Sequence, residues 1–194
     1  MRPSVIPYPS PNFNDRPEGG RVKYLILHYT GMTTGKAALE RLCDAQAKVS
    51  AHYLIEEDGR IFSLVAEDKR AWHAGVSGWE QDQDINGLSI GIELVNPGHD
   101  QPGYTGNYHP FPKPQMDSLI DLCQEILRRH DIRPWHILGH SDVAPLRKID
   151  PGELFDWQAL AAEGIGLWPI GGKIENLSVN SDNFLQKLAL YGYQ

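Results

Sequence analysis

The sequence predicts an α/β domain, a central mixed β-sheet flanked by helices. Three observations carry this. Val22–Tyr29 (VKYLILHY) is a short, nearly continuous apolar run, the pattern of a strand covered on both faces. Leu88–Val95 (LSIGIELV) is a second strand that alternates strictly between faces. Two segments with helical periodicity, Lys36–Lys48 and Gln115–His130, are interleaved with these and other strand-like runs.

Taken in order, residues 1–20 carry four prolines before position 12 and then NDRPEGG, which reads as an irregular arm laid over the surface. The run ending at Tyr29 includes His28 and meets the polar loop Thr30–Gly35. His28 therefore sits where a buried strand emerges, the place where open α/β sheets carry their sites. In Lys36–Lys48, Leu39, Leu42 and Cys43 recur at helical spacing among alanines, which are strong helix formers. HYLIEEDGRIFSLV follows, two strand-like runs around Asp58-Gly59, a hairpin signal.

Residues 66–87 read as a long loop carrying Trp72 and Trp79, and a loop of that length is more often functional than idle. In Leu88–Val95, Ser89 and Gly91 share a face with Glu93. Two small residues leave room above that face, and Glu93 points into it. A second Pro/Gly-rich loop spans 96–113. Pro114 then opens a helix whose Met116, Leu119, Ile120, Cys123, Ile126 and Leu127 form an apolar stripe. Trp135–His140 reads as a short strand and Asp156–Glu163 as a short helix. GIGLWPIGGK marks the end of a domain spanning 21–169. In the tail, 170–194, Phe184, Leu185, Leu188 and Tyr191 suggest a terminal helix docked on that domain.

Length and composition agree with one domain: 194 residues, 41% of them hydrophobic. No apolar run approaches the ~20 residues that span a bilayer. The N-terminus has no hydrophobic signal region, so a cytoplasmic location is expected; a mature exported form would look the same and would place it in the periplasm or envelope. A net charge of −7 argues against a nucleic-acid partner. Cys43 and Cys123 sit in apolar-periodic segments and read as small buried hydrophobes. A monomer is expected.

The chemistry concentrates in Gly139–Asp156 (GHSDVAPLRKIDPGELFD), which puts His140, Lys148 and Asp150 in a segment broken by Pro145, Pro151 and Gly152. Such a segment cannot be a long helix and reads as a strand end running into an ordered loop. His and Asp are zinc ligands, and catalytic zinc takes three protein ligands with one open position, so a third ligand and a base are needed from elsewhere. Of the eight histidines, His28 and His140 stand out, each closing an apolar strand at a polar loop. His136 shares His140's parity, but its Trp and Pro neighbours favour a packed or capping role. His52 suits the core or an outer shell, and His130 a helix C-terminus. His99 and His109 show no evident partner.

The ordered motifs YLILHYT, VSAHYLIEEDG, RAWHAGVS, NGLSIGIELVNPG and GHSDVAPLRKIDPG closely resemble the type-2 N-acetylmuramoyl-L-alanine amidases, kin of the peptidoglycan recognition proteins. The resemblance runs from about Ser10 to Pro169. It implies that fold, with one Zn²⁺ held by His28, His140 and Asp150. It makes Glu93 the general base and Lys148 the group that stabilises the oxyanion. The implied reaction cuts the amide between the lactyl group of N-acetylmuramic acid and the L-alanine of the stem peptide. Trp72, His73, Arg70 and Asn86 are candidate substrate contacts, with Trp72 equally suited to anchoring its loop in the core.

Two other functions compete: a peptidoglycan-binding protein without chemistry, and a zinc peptidase or deacetylase, which only the resemblance excludes. A pure binder has no reason to keep three ligands together with Glu93 and Lys148. The substrate could be intact murein or a soluble anhydro-muropeptide, and the missing export signal favours the soluble fragment. FLQKLALYGY resembles the opening helix of a small peptidoglycan-binding module, so the tail could be a remnant of one.

Overall fold

A computed structural model describes residues 4–100, 106–169 and 181–193. In chain order the first half contains β1 (Val5–Pro7), β2 (Phe13–Asp15), β3 (Tyr24–Tyr29), α1 (Gly35–Cys43), β4 (Tyr53–Ile55), β5 (Ile61–Ser63) and β6 (Lys69–Ala71). The second half contains α2 (Ile85–Leu88), β7 (Ser89–Leu94), α3 (Lys113–Arg129), β8 (Ile137–Gly139), α4 (His140–Val143), α5 (Trp157–Ala162) and α6 (Ser181–Tyr191).

The main sheet has strand order β1-β5-β4-β7-β3-β8. Only the β4–β5 hairpin is antiparallel, and its turn holds Gly59 at φ 90°. The apolar run of β3 is buried at every position because strands flank it on both sides and layers cover both faces. On one face, Leu25, Leu27, Ile90, Ile92 and Leu94 meet Met116, Leu119, Leu122, Cys123 and Ile126 of α3. Each such side chain contributes roughly 1.5–3 kcal/mol by leaving water. On the other face, Leu39 and Leu42 of α1 cover Leu54, while Tyr24 and Ile26 meet Trp79 from a loop, Ile85 of α2 and Val143 of α4.

Four differences from the sequence reading have local causes. First, α1 stops at Cys43, because the Asn12 side-chain amide donates to the carbonyls of Asp44 and Val49. Second, the described part of 1–20 is not wholly irregular: β1 adds a parallel edge to β5 and β2 pairs with β6. Arg16 then reaches inward and donates to the carbonyls of Glu67, Gly87 and Ser89. Third, the segment 66–87 is not all loop, since it contains β6 and α2.

Fourth, Trp135–His140 is not one strand. Pro134–His136 forms a single 3₁₀ turn, β8 is Ile137–Gly139, and His140 opens α4 with Asp142 accepting from the Gly139 N–H. His136 therefore lies against Tyr24, bonded to Glu80, away from His140.

Both cysteines are free, and Cys123 is buried. The terminal helix forms, but Phe184 and Leu185 are exposed, and docking comes at its end. Tyr191 and Tyr193 pack on Trp79, and the Glu80 N–H donates to the Gly192 carbonyl. The last four residues of the boundary stretch GIGLWPIGGK, from Ile170 on, lie outside the described residues. No helix among the described residues is long and apolar enough to cross a membrane.

Candidate active site

Three adjacent parallel strands deliver the site at their C-terminal ends. His28 on β3 is the register partner of Glu93 on β7. Leu27 is opposite Gly139 on β8, so the next residue along each strand is His28 and His140. Asp150 comes from the loop after α4. Its carbonyl accepts the Ser141 N–H, and Pro151 packs on Gly139, where a Cβ would come within 2.8 Å of the ring. Tyr108 clamps the far side of this loop, donating to the Pro151 carbonyl and accepting from the Leu154 N–H, with His99 stacked on its ring.

The result is a tight triangle of buried groups. His28 Nδ1 lies 3.0 Å from His140 Nδ1 and 3.1 Å from Asp150 Oδ2, and His140 Nδ1 lies 3.1 Å from the same oxygen. His140 Nε2 faces the Ala74 carbonyl at 3.0 Å, so it must donate, leaving Nδ1 with a bare lone pair in the neutral ring. That lone pair points at a carboxylate oxygen, two acceptors with no hydrogen between them. A cation among the three groups removes the conflict. Two imidazoles and a carboxylate suit zinc, whose ~2.0–2.1 Å bonds in a tetrahedron put donor atoms about 3.3 Å apart, close to the spacing found. His28, His140 and Asp150 could thus bind a metal.

The electrostatics agree with a cation site. Burial, reinforced by the neighbouring His140, lowers His28 to about 4, so it is neutral at pH 7. Burial alone would raise Asp150, but the close approach of the His140 and His28 rings overcomes it and holds the carboxyl far below the usual range. Glu93 behaves oppositely. Burial and the Asp150 charge push its carboxyl well above the ordinary value, with Lys148 opposing. Glu93 Oε2 is buried with no hydrogen-bond partner among the described residues, as a group awaiting a reactant would be.

These groups line a cavity of about 420 Å³ together with Trp72, His73, Arg147 and Lys148. Trp72 is half-buried: it faces the cavity, and its indole N–H donates to the exposed Asn14 side chain. His73 is buried beneath His28, 3.0 Å from its Nε2, and fills the room that Ser89 and Gly91 leave on β7. A Cβ on Gly91 would fall 2.4 Å from the His73 ring. Asn86, expected as a substrate contact, is buried, and its Oδ1 accepts the N–H groups of His73 and Ala74. Arg70 pairs with Asp84 and lines a neighbouring groove. No described residue of 96–113 lines the cavity.

Sequence reasoning missed Arg147, which faces the cavity and donates to the carbonyls of Ala74 and Val76. Its signal was only adjacency to Lys148. It also missed Ser89, visible as a small residue on the Glu93 face.

Comparison with known proteins agrees. The sequence profile of the Amidase_2 family, N-acetylmuramoyl-L-alanine amidase, matches residues 18–153. The chain is 39% identical over 188 residues to the N-acetylmuramoyl-L-alanine amidase AmiD of Escherichia coli, covering 89% of this chain and 67% of AmiD. It is 35% identical over 167 residues to the 1,6-anhydro-N-acetylmuramyl-L-alanine amidase AmpD of Haemophilus influenzae, covering 77% of this chain and 86% of AmpD.

Among solved structures, E. coli AmiD in complex with anhydro-N-acetylmuramic acid-L-Ala-D-gamma-Glu-L-Lys superimposes with a TM-score of 0.81, covering 92% of this chain and 73% of that one. The stretch matched by the family profile, residues 18–153, includes His28, Glu93, His140 and Asp150. The chain belongs to the type-2 N-acetylmuramoyl-L-alanine amidase family.

Proposed function

We propose that this protein is a zinc amidase that cleaves the bond between N-acetylmuramic acid and L-alanine in muropeptides. The observation that carries the reading is the closure of His28, His140 and Asp150 on one point, with Glu93 on the adjoining strand, its Oε2 without a partner among the described residues. Zinc held by these three would lower the pKa of water to about 7 and polarise a carbonyl.

The chain's own residues do the remaining work. Glu93 takes the proton of the attacking water at its free oxygen and returns it to the departing amine, and the lift that burial gives its pKa suits the second step. Lys148 sets an ammonium against the charge that grows on the carbonyl oxygen; losing such a donor typically costs ~3–4 kcal/mol of barrier. Trp72 offers an aromatic face for sugar or peptide, and Arg147 and Arg41 at the cavity suit stem-peptide carboxylates.

The relatives named for or solved with anhydro-muramyl compounds favour a soluble anhydro-muropeptide as substrate. Mass spectrometry of digests of anhydro-muropeptide and of insoluble murein tests this, each run with and without chelator. Release of stem peptide from the soluble substrate, lost with chelator and with Glu93→Gln, is expected. Zinc-loaded protein that cleaves neither substrate overturns the reading.

A further inference from the structure

Beneath the candidate metal ligands runs a chain of hydrogen bonds whose direction can be worked out from one end. It starts at the carbonyl of Ile85, which can only accept. Ser89 Oγ lies 2.6 Å from it, so the single hydroxyl hydrogen of Ser89 is committed there. The remaining lone pairs of Ser89 face His73 Nε2 at 3.0 Å, so that nitrogen must carry a hydrogen and donate. A neutral imidazole has one N–H, which leaves His73 Nδ1 bare. His73 Nδ1 lies 3.0 Å from His28 Nε2, so His28 must in turn donate from Nε2. Its Nδ1, the atom aimed at Asp150 and His140, is then bare as well.

We infer that Ser89 is a positioning residue that sets the tautomer of His28 through His73, so that His28 presents an unprotonated Nδ1 to the metal position. The alternative arrangement is chemically reasonable and would be harmful. With both imidazoles flipped to the Nδ1–H form, His28 would donate to Asp150, and the two would satisfy each other with a proton in the ion's place. What forbids this is the hydroxyl of Ser89, already spent on Ile85, which would leave a bare His73 Nε2 against a bare oxygen.

The surroundings leave His73 no second way to sit. Its backbone N–H is held by Asn86, its ring rests on Gly91, and it is buried. Outer partners of metal-bound histidines commonly change metal affinity 10–100-fold when removed. Here the control is exerted two residues away from the ligand atom.

The purpose of the device rests on the zinc reading above, but the tautomer itself is measurable without metal. Long-range ¹H–¹⁵N spectra of the zinc-free, ¹⁵N-histidine-labelled full chain report which ring nitrogen carries hydrogen, and competition with a chromophoric chelator reports zinc affinity. The wild type is expected to show Nε2–H for both His28 and His73. Ser89→Ala is expected to move both toward Nδ1–H and to weaken zinc binding tenfold or more, while Ser89→Thr, which keeps the hydroxyl, retains the Nε2–H forms.

An Nδ1–H form of either histidine in the wild type overturns the inference, whether or not the variants fold. So does a folded Ser89→Ala protein with unchanged tautomers. Wild-type protein that shows the expected tautomers and takes up no zinc leaves the Ser89 assignment standing and sinks the metal reading instead.

Discussion

His28 and Glu93 stand side by side in register on two parallel strands, so one row of backbone hydrogen bonds fixes the distance between candidate ligand and candidate base. Loops contribute only Asp150, Lys148 and the walls. Functional groups on sheet positions are held more closely than groups on loops, and the consequences can be measured.

The floor beneath this pair is tight at Gly91. Gly91→Ala puts a methyl where the His73 ring lies, and neither the buried ring nor the central strand can retreat. Overpacking of this kind typically costs ~1–3 kcal/mol. A lower urea midpoint together with weakened zinc binding is expected. A variant as stable as the wild type would show that His73 has somewhere to go.

Asn86 accepts two buried backbone N–H groups, one leading to His73 behind His28, the other to Ala74, whose carbonyl backs His140. Asn86→Ala strands both donors, at ~1–3 kcal/mol each. Asn86→Asp keeps an acceptor and should lose far less. Equal urea midpoints for the two variants would count against the clamp.

Zinc should stabilise the fold as well as equip it, because it replaces a meeting of acceptors with bonds. Excess zinc is expected to raise the thermal midpoint of the zinc-free chain, by ~2.7 kcal/mol of added stability at a hundredfold excess over Kd. Asp150→Asn should abolish most of the shift. A scan in which the substituted chain responds like the wild type would remove Asp150 from the ligand set.

Acid should destabilise the zinc-free protein early. Burial lowers His52 from 6.5 to about 3, and its bare Nδ1 accepts the Gly91 N–H, a bond that protonation would break. The unfolded chain therefore takes up a proton below pH 6.5 that the folded chain refuses. His52's contribution is full above that pH and is lost as pH falls toward 3, with about 2 kcal/mol gone by pH 5.

Glu67 adds to this below pH 4.5. Burial would raise its carboxyl, but hydrogen bonds from Arg129, Tyr53 and His130 hold it at about 2, so its contribution disappears between 4.5 and 2. Urea midpoints at pH 7 and pH 5 check the first part: the difference should shrink by about 2 kcal/mol in His52→Gln.

Much of this was legible before any coordinates. The apolar run ending in His28, the alternation around Glu93 and the stripe of α3 are long enough for periodicity to speak, and Asp58-Gly59 names its own turn. The short elements were not legible. Val5–Pro7 and Phe13–Asp15 are exposed three-residue strands among prolines, created by the partners they meet. Likewise His73 and Asn86 read as substrate contacts in two separate motifs, and only the packing puts both behind His28.

The contacts of Arg16 redraw where the folding unit starts. A fragment trimmed to begin at residue 21, where composition changes, would leave the carbonyls of Glu67, Gly87 and Ser89 without their guanidinium donor. It would also strip an edge strand from the sheet. Since Ser89 is one of the three, such trimming would loosen the strand beneath the candidate ligands without touching any of them, and a shortened protein that failed to take up metal would say nothing against the site.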